Sequence, residues 1–146
     1  MTAQENEAIA RADVELYNTR DLDRIATLYS ADAELTDVAT GETFRGPEGA
    51  LRFNQSFITA FPDSQCEIIS VLANERNAAV EFWGRGTHTG PLVSSAGTIP
   101  PTGRKVELRF CQILEIQGGK ITHASMYWDA NTMMTQLGLV PEAARP

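Results

Sequence analysis

The sequence has few cysteines, few histidines and no long apolar run. Its two cysteines, Cys66 and Cys111, form no CxxC pair, and its two histidines stand at no metal-ligand spacing. No apolar stretch approaches the roughly 20 residues of a membrane-spanning helix. The N-terminus is polar and amphipathic, unlike a signal peptide, and no GxGxxG or GKS/T loop is present. We therefore expect a cytoplasmic protein that uses no metal and no other cofactor.

Basic residues are also scarce. The chain has 12 Lys and Arg against 19 Asp and Glu, which gives a net charge of −7. Binding to nucleic acid or to an anionic membrane needs a basic face, so we expect neither partner. With 146 residues, 42% of them hydrophobic, the composition is that of one globular domain. We assign residues 1–146 to that domain, with a core over residues 7–140 and a tail over residues 141–146.

Helical spacing comes first along the chain and strand-like alternation follows it. The patterns predict a helix with Ile9 and Tyr17 on one face, a short helix capped by Asp21, and a third helix from Pro47 to Phe61. We read residues 89–103 as a long loop because they hold three prolines and three glycines. The expected strands cover residues 33–38, 65–74, 77–88, 104–116 and 120–130, and a short helix covers residues 132–137. This order predicts an α+β fold.

The last predicted hairpin can be paired from its turn. If Ile116 lies opposite Ile121, then Phe110 lies opposite Tyr127, and Asp129 points to the same apolar face. A one-residue change of register would turn Asp129 outward. Two interpretations of Asp129 stay open. It is either the cap of the short final helix or an acid/base group whose pKa is raised in a pocket.

Short motifs along the chain occur in a characteristic order. They are Gly46-Pro47-Glu48-Gly49, Ala60-Phe61-Pro62-Asp63, Arg85-Gly86-Thr87-His88-Thr89-Gly90, Pro100-Pro101-Thr102-Gly103-Arg104, Gly119-Lys120-Ile121, and Tyr127-Trp128-Asp129 followed by Gln136-Leu137-Gly138. Each motif is weak alone, but the ordered set resembles the SnoaL-like polyketide cyclases, also called ester cyclases, over nearly the whole chain.

This resemblance implies a fold and a chemistry. The fold is the cone-shaped nuclear transport factor two-like fold, in which N-terminal helices pack on a curved, mixed, mostly antiparallel sheet around a pocket. Members are commonly homodimers through the outer sheet face, where we expect Ile113, Met126 and Trp128. The family's acid/base aspartate falls on Asp129. These enzymes close a ring of a polyketide ester by intramolecular aldol condensation without a cofactor, and we expect the same reaction here on a small polycarbonyl ligand.

Further candidates lie on the inward faces of the same strands. His88 ends its strand on the apolar face that carries Phe82, and it is either a catalytic group or a half-exposed strand-end histidine. Gln112 either donates an amide hydrogen bond to a substrate oxygen or satisfies a helix end. By the pairing above, Phe110 and Tyr127 also face the substrate.

Two other enzyme families of this fold invite comparison. Residues 31–37 are similar to the stretch that holds the general base of ketosteroid isomerases, which places Asp37 at that base. The Tyr and Asp that bind the oxyanion in those isomerases fall on Asp13 and Gln112, a departure that puts steroid isomerisation in doubt. Limonene-type epoxide hydrolases need an Asp-Arg-Asp set, of which Arg109 and Asp129 match only a part.

Two classes of function remain open at this point. The first is an acid/base enzyme, either the cyclase or another reaction on the same fold. The second is a non-catalytic protein that binds an apolar ligand in its pocket, because one fold serves many functions. The segment over residues 91–99 is longer than the family's usual one, and it is either a lid or a surface loop.

Overall fold

The computed structural model describes residues 2–140. The predicted tail over residues 141–146 lies outside them. The elements in chain order are α1 (Ala3–Asn18), α2 (Leu22–Thr27), β1 (Tyr29–Asp37), β2 (Glu42–Arg45), α3 (Gly46–Ala60), β3 (Gln65–Ala73), β4 (Asn77–Thr87), β5 (Leu92–Ser94), β6 (Gly97–Ile99), β7 (Lys105–Gln117), β8 (Lys120–Tyr127) and α4 (Ala130–Gln136). Within this described part, each helix is too short or too polar to cross a membrane.

The first two helices begin where side chains can bind their free amides. Thr2 and Glu5 form a reciprocal capping box at the start of α1. Asp21 caps α2 as predicted, by accepting a hydrogen bond from the backbone of Arg24. The face of α1 that carries Ala10 and Val14 is buried against the sheet, so the two helices are held where their apolar residues meet the core.

Six strands form one mixed sheet in the order β2-β1-β8-β7-β4-β3. Strand β1 runs parallel to β8, and all the other neighbours are antiparallel. Helices α1 and α3 pack on this sheet through a continuous apolar core. The predicted α+β class, with N-terminal helices on a mixed, mostly antiparallel sheet, is confirmed.

Two short pairings are absent from the prediction. Strand β2 pairs with β1 in a region for which no strand is predicted. Strands β5 and β6 form a hairpin inside the predicted long loop. Its tight turn is stabilised by the Ser94 hydroxyl, which accepts from the backbone of Ala96, and by Gly97, whose φ of +127° strongly favours glycine. Each strand of this hairpin has only three residues, and the prolines and glycines around them are typical of a loop.

The predicted register of the last hairpin is wrong beyond its first two pairs. Ile116 does lie opposite Ile121, but Glu115 lies opposite His123, so Thr122 is an extra residue in β8. A bulge of one residue reverses the side-chain alternation that follows it. Consequently Met126 and Trp128 turn inward, while Tyr127 and Asp129 turn outward. This reversal decides which side chains reach the interior.

Candidate active site

An apolar cavity lies between α1, α3 and the inner face of the sheet. Three side chains expected at the substrate line it: Phe82 from β4, and Phe110 and Gln112 from β7. The rings of Phe82 and Phe110 stack, with centroids 5.2 Å apart. Gly84 makes room for this arrangement because a Cβ there would lie 2.8 Å from the Phe110 ring. The remaining lining residues are Asp13, Val14, Tyr17, Phe53, Asn54, Phe57, Phe61, Ser64, Cys66, Arg85, Gly86, Val106, Leu108 and Met126.

Asp13 brings a carboxyl group to the wall of this cavity. Its side chain is only 7% exposed, although it belongs to a surface helix. The Tyr29 hydroxyl donates a hydrogen bond of 3.1 Å to Oδ2 of Asp13. The other oxygen, Oδ1, has no hydrogen-bond partner among the residues that the structure describes. A buried carboxyl oxygen without a partner is costly, and such oxygens are found where a ligand or a proton completes them.

The surroundings of Asp13 shift its proton affinity toward neutral pH. Burial raises the pKa of Asp13 to about 6, and the hydrogen bond from Tyr29 and the amide of Gln112 oppose the rise. Burial, together with the adjacent Asp13 charge, raises the pKa of Tyr29 well above its ordinary value. Tyr29 therefore stays a donor, while Asp13 exchanges its proton near neutrality. A carboxyl of this kind can both remove and return a proton.

The position of Asp13 on a buried face of α1 can be recognised in the sequence, although the predicted apolar face of this helix did not include it. Ala10, Asp13, Val14 and Tyr17 stand at positions i, i+3, i+4 and i+7, which is one helix face. Three of these residues are apolar or aromatic, so the fourth is a carboxylate on a buried stripe. The comparison with ketosteroid isomerases had also placed Asp13 at an oxyanion-binding position. The structure brings Asp13 and Gln112 to the same cavity wall.

Asp129 does not line this cavity, and its predicted inward position is wrong. The bulge at Thr122 turns it to the surface, where it caps α4. Its carboxylate accepts hydrogen bonds from the Asn131 backbone at 3.0 Å and from the Thr132 hydroxyl at 2.7 Å. The Thr132 hydrogen bond is the main cause that lowers the pKa of Asp129. Of the two interpretations left open by the sequence, the structure shows the cap.

We expect Asp129→Ala to lower the free energy of unfolding measurably, because the first amides of α4 lose their cap. Asparagine is as good a capping residue, so Asp129→Asn serves as the control and should stay near the wild-type value. Urea unfolding at neutral pH measures both variants. Equal loss in the two variants would mean that the charge, and not the cap, stabilises this end of the chain.

His88 is wholly buried and lines neither this cavity nor the second one described below. Its Nδ1 accepts a hydrogen bond of 3.2 Å from the Thr102 backbone and lies 3.0 Å from the Thr102 hydroxyl. Its ring packs 5.3 Å from the Phe61 ring. Burial lowers its pKa, which favours the neutral imidazole. The geometry is that of a side chain that fixes the turn before β7, and the predicted half-exposed position is wrong.

The remaining candidates lie elsewhere. Tyr127 is 47% exposed on the outer sheet face, opposite to the predicted side, again because of the bulge. Asp37 lines a second cavity beneath the β5–β6 hairpin and accepts a hydrogen bond of 2.7 Å from Trp128 Nε1. The structure therefore gathers Phe82, Phe110 and Gln112 at one cavity, and it separates them from Asp37, His88, Tyr127 and Asp129.

The outer sheet face differs from the expected one in two residues. Ile113 is 40% exposed there, as expected, but Met126 and Trp128 point inward. Arg109 forms an ion pair with Glu81 and lies over the Trp83 ring on this face, so it takes no part in an Asp-Arg-Asp set. The homodimer through this face stays a prediction. Over residues 2–140, no group of three metal-ligating side chains is close enough to hold a metal ion.

Comparisons with known proteins agree with this architecture. The family model described as SnoaL-like polyketide cyclase matches residues 7–137. The chain resembles IdmH, a proposed polyketide cyclase from Streptomyces antibioticus, with 27% identity and a TM-score of 0.71 over 90% of this chain and 96% of that one. It resembles a proposed SnoaL-like polyketide cyclase from Jannaschia sp. CCS1 with 18% identity and a TM-score of 0.81 over 96% of both chains.

A further solved structure shows that this fold is not tied to one named activity. AclR, a proposed hydroxylase from Streptomyces galilaeus, has 23% identity and a TM-score of 0.80 over 97% of this chain and 89% of that one. No protein with a curated description matches the chain. The nuclear transport factor two-like fold implied by the sequence motifs is confirmed.

Proposed function

Because this chain belongs to the SnoaL-like polyketide cyclase family, we propose that it closes a ring in a polycarbonyl ester of polyketide type by intramolecular aldol condensation. We further propose that Asp13 is the acid/base group of the reaction and that the substrate lies in the apolar cavity beside Phe82 and Phe110. The single observation that carries this proposal is the buried Asp13 carboxyl on the cavity wall, whose Oδ1 has no hydrogen-bond partner within residues 2–140.

The proton transfers need one group that acts twice. The Asp13 carboxylate removes a proton from a carbon that lies between two carbonyl groups, and an enolate forms. The enolate carbon then attacks a ketone carbonyl of the same chain, so a C–C bond forms and the C=O π bond opens to an alkoxide. The alkoxide takes the proton back from Asp13. Atoms and charge balance within the substrate, and the carboxylate is regenerated.

The neighbours of Asp13 support each stage. The Tyr29 hydroxyl holds Oδ2, which leaves Oδ1 to meet the substrate proton. The Gln112 amide lies on the same wall and can donate a hydrogen bond to the enolate oxygen. The stacked rings of Phe82 and Phe110 offer an apolar surface on which a conjugated chain folds back on itself.

The test is incubation of the purified protein with methyl esters of aromatic poly-β-ketones. The ring closure written above is an aldol addition without loss of water, so its product has unchanged mass, a new retention time and new ring carbons in the NMR spectrum. The proposal predicts that the wild type accelerates this change and that a heat-inactivated sample does not. Saturable binding without product would instead identify a non-catalytic pocket protein, and it would contradict the cyclase proposal.

A further inference from the structure

The second cavity lies between β2, α3, α4 and the β5–β6 hairpin. The hairpin is tied above it by the Ser95 backbone, which donates a hydrogen bond of 3.1 Å to Oε1 of Glu42. Most of the lining is apolar or aromatic, and Asp37 and Glu42 bring its two carboxylates. The lining residues are Asp37, Thr40, Glu42, Phe44, Phe53, Ser56, Phe57, Leu92, Val93, Ser94, Ile99, Trp128, Ala130, Met133 and Met134.

The two carboxylates of this cavity stand directly opposite each other. Asp37 and Glu42 are paired residues of the β1–β2 ladder, so their side chains share one face. Like charges in such a pair repel each other. Burial is the main cause that raises the pKa of Asp37, and the Glu42 charge adds to the rise. Of the described residues that line the cavity, none is basic.

Three acidic side chains elsewhere in the sheet have basic partners. Glu67 and Glu107 pair with Arg85, and Glu81 pairs with Arg109. The Asp37–Glu42 pair differs from these, since the other side chains around it in the cavity are aromatic, aliphatic or uncharged polar. Asp37 is only 5% exposed. A buried carboxylate without a cationic partner is stabilised when a cation binds beside it.

Aromatic rings make the same cavity suitable for an organic cation. The Phe44 and Phe53 rings lie 5.4 Å apart and the Phe57 and Trp128 rings 5.9 Å apart, each pair in edge contact. In each pair the edge of one ring meets one face of the other, and the second face of that ring can attract a cation. Trp128 Nε1 donates to Oδ1 of Asp37, which fixes the indole beside the carboxylate.

We propose that this second cavity binds a substituted ammonium group carried on a small apolar body. The two carboxylates supply the counter-charge, the Phe44, Phe57 and Trp128 rings supply cation–π contacts, and the aliphatic residues of the hairpin cover the alkyl groups. A strongly hydrated inorganic cation is a poorer fit because most of the wall is apolar or aromatic and cannot replace its water ligands. Phe53 and Phe57 line both cavities, but Asp13 lines only the first one, so this proposal does not depend on ring closure.

The probe for this proposal is choline, compared with 3,3-dimethylbutan-1-ol, its neutral isostere. The chain has two tryptophans, Trp83 and Trp128, and Trp83 lies on the outer face beneath Arg109. A Trp83→Phe background therefore leaves Trp128 as the fluorescent reporter in the cavity. At constant ionic strength in potassium chloride, we expect choline to saturate at a concentration about tenfold lower than the isostere.

Variants of the two acids separate charge from shape. Asp37→Asn keeps an acceptor for Trp128 and should weaken choline binding about tenfold, with little change for the isostere. Glu42→Gln keeps an acceptor for Ser95 and provides a second, milder test of the same charge. Asp23→Asn, an exposed position on α2, controls for net charge and should have no effect. Equal binding of choline and the isostere, saturation by neither, or insensitivity to both acid variants would overturn the proposal.

Discussion

Asp13→Asn is expected to lower kcat for ring closure by about 10²- to 10⁴-fold, the usual contribution of a positioned acid/base group. Asparagine has nearly the same shape and can still accept the hydrogen bond from Tyr29, so the cavity is preserved. Substrate affinity should therefore change little. Steady-state kinetics, with binding measured by calorimetry, separates the two effects.

The same variant is expected to be more stable than the wild type at neutral pH. Burial raises the pKa of Asp13 from 3.8 to about 6 in the folded protein. The folded state therefore holds the proton more tightly than the unfolded state, and this stabilisation is complete below pH 3.8 and is lost as the pH rises through 6. The difference of about 2 pKa units corresponds to about 3 kcal/mol. The advantage of Asp13→Asn should grow by about that amount between pH 4 and pH 7.

The matched control for Asp13→Asn is Asp129→Asn, the same chemical change at the family's closing motif. Our account predicts that it keeps both ring closure and stability, because Asp129 is an exposed cap that asparagine can replace. Loss of turnover in Asp129→Asn, with turnover retained in Asp13→Asn, would return the acid/base role to Asp129. In Asp13→Asn, a gain in stability combined with a loss of activity is the result expected for a functional residue.

Gln112→Leu is expected to lower kcat by about 10²-fold, because the enolate oxygen loses a positioned donor. The substitution also removes the amide that lowers the pKa of Asp13, so the acidic limb of the pH–rate profile should move to higher pH. A merely structural glutamine would not shift that limb. Kinetics across the pH range measure both effects.

The control for Gln112→Leu is Gln117→Leu, which makes the same change at an exposed position on the same strand. It should leave kcat and the pH profile unaltered. If Gln112→Leu matched this control, Gln112 would have no part in the reaction, and the assignment of the enolate-binding group would be wrong.

The order and type of the main elements could be predicted from the sequence because their signals are local. Helix α2 begins after Asp21, since its carboxylate accepts from Arg24, a contact between residues three apart. Strand β4 alternates in burial from Asn77 to Phe82, and β3 alternates on either side of its bulge between Ile68 and Ser70, as period-two patterning requires. These features depend on neighbours in the chain, so single-sequence reasoning reaches them.

The orientation of the closing motif could not be predicted in the same way. Pairing from the turn predicts the first two residue pairs of the β7–β8 hairpin correctly. The sequence of residues 120–123 does not indicate the bulge at Thr122. Because of that bulge, Met126 and Trp128 point toward the core, and Asp129 lies at the N-cap of α4. The choice depends on packing against α3 and on pairing with β1, which are long-range contacts.

The most direct test of the central claim is the pKa of the Asp13 carboxyl, measured by carbon-detected NMR titration. The Asp13→Asn variant assigns the signal, and the measurement needs no substrate. We expect a titration midpoint of about 6, because the carboxyl is buried on the wall of an apolar cavity. A midpoint at or below about 3.9, the value of an exposed aspartate, would contradict the account. Asp13 would then be an ordinary solvated carboxylate without the proton affinity that the reaction needs.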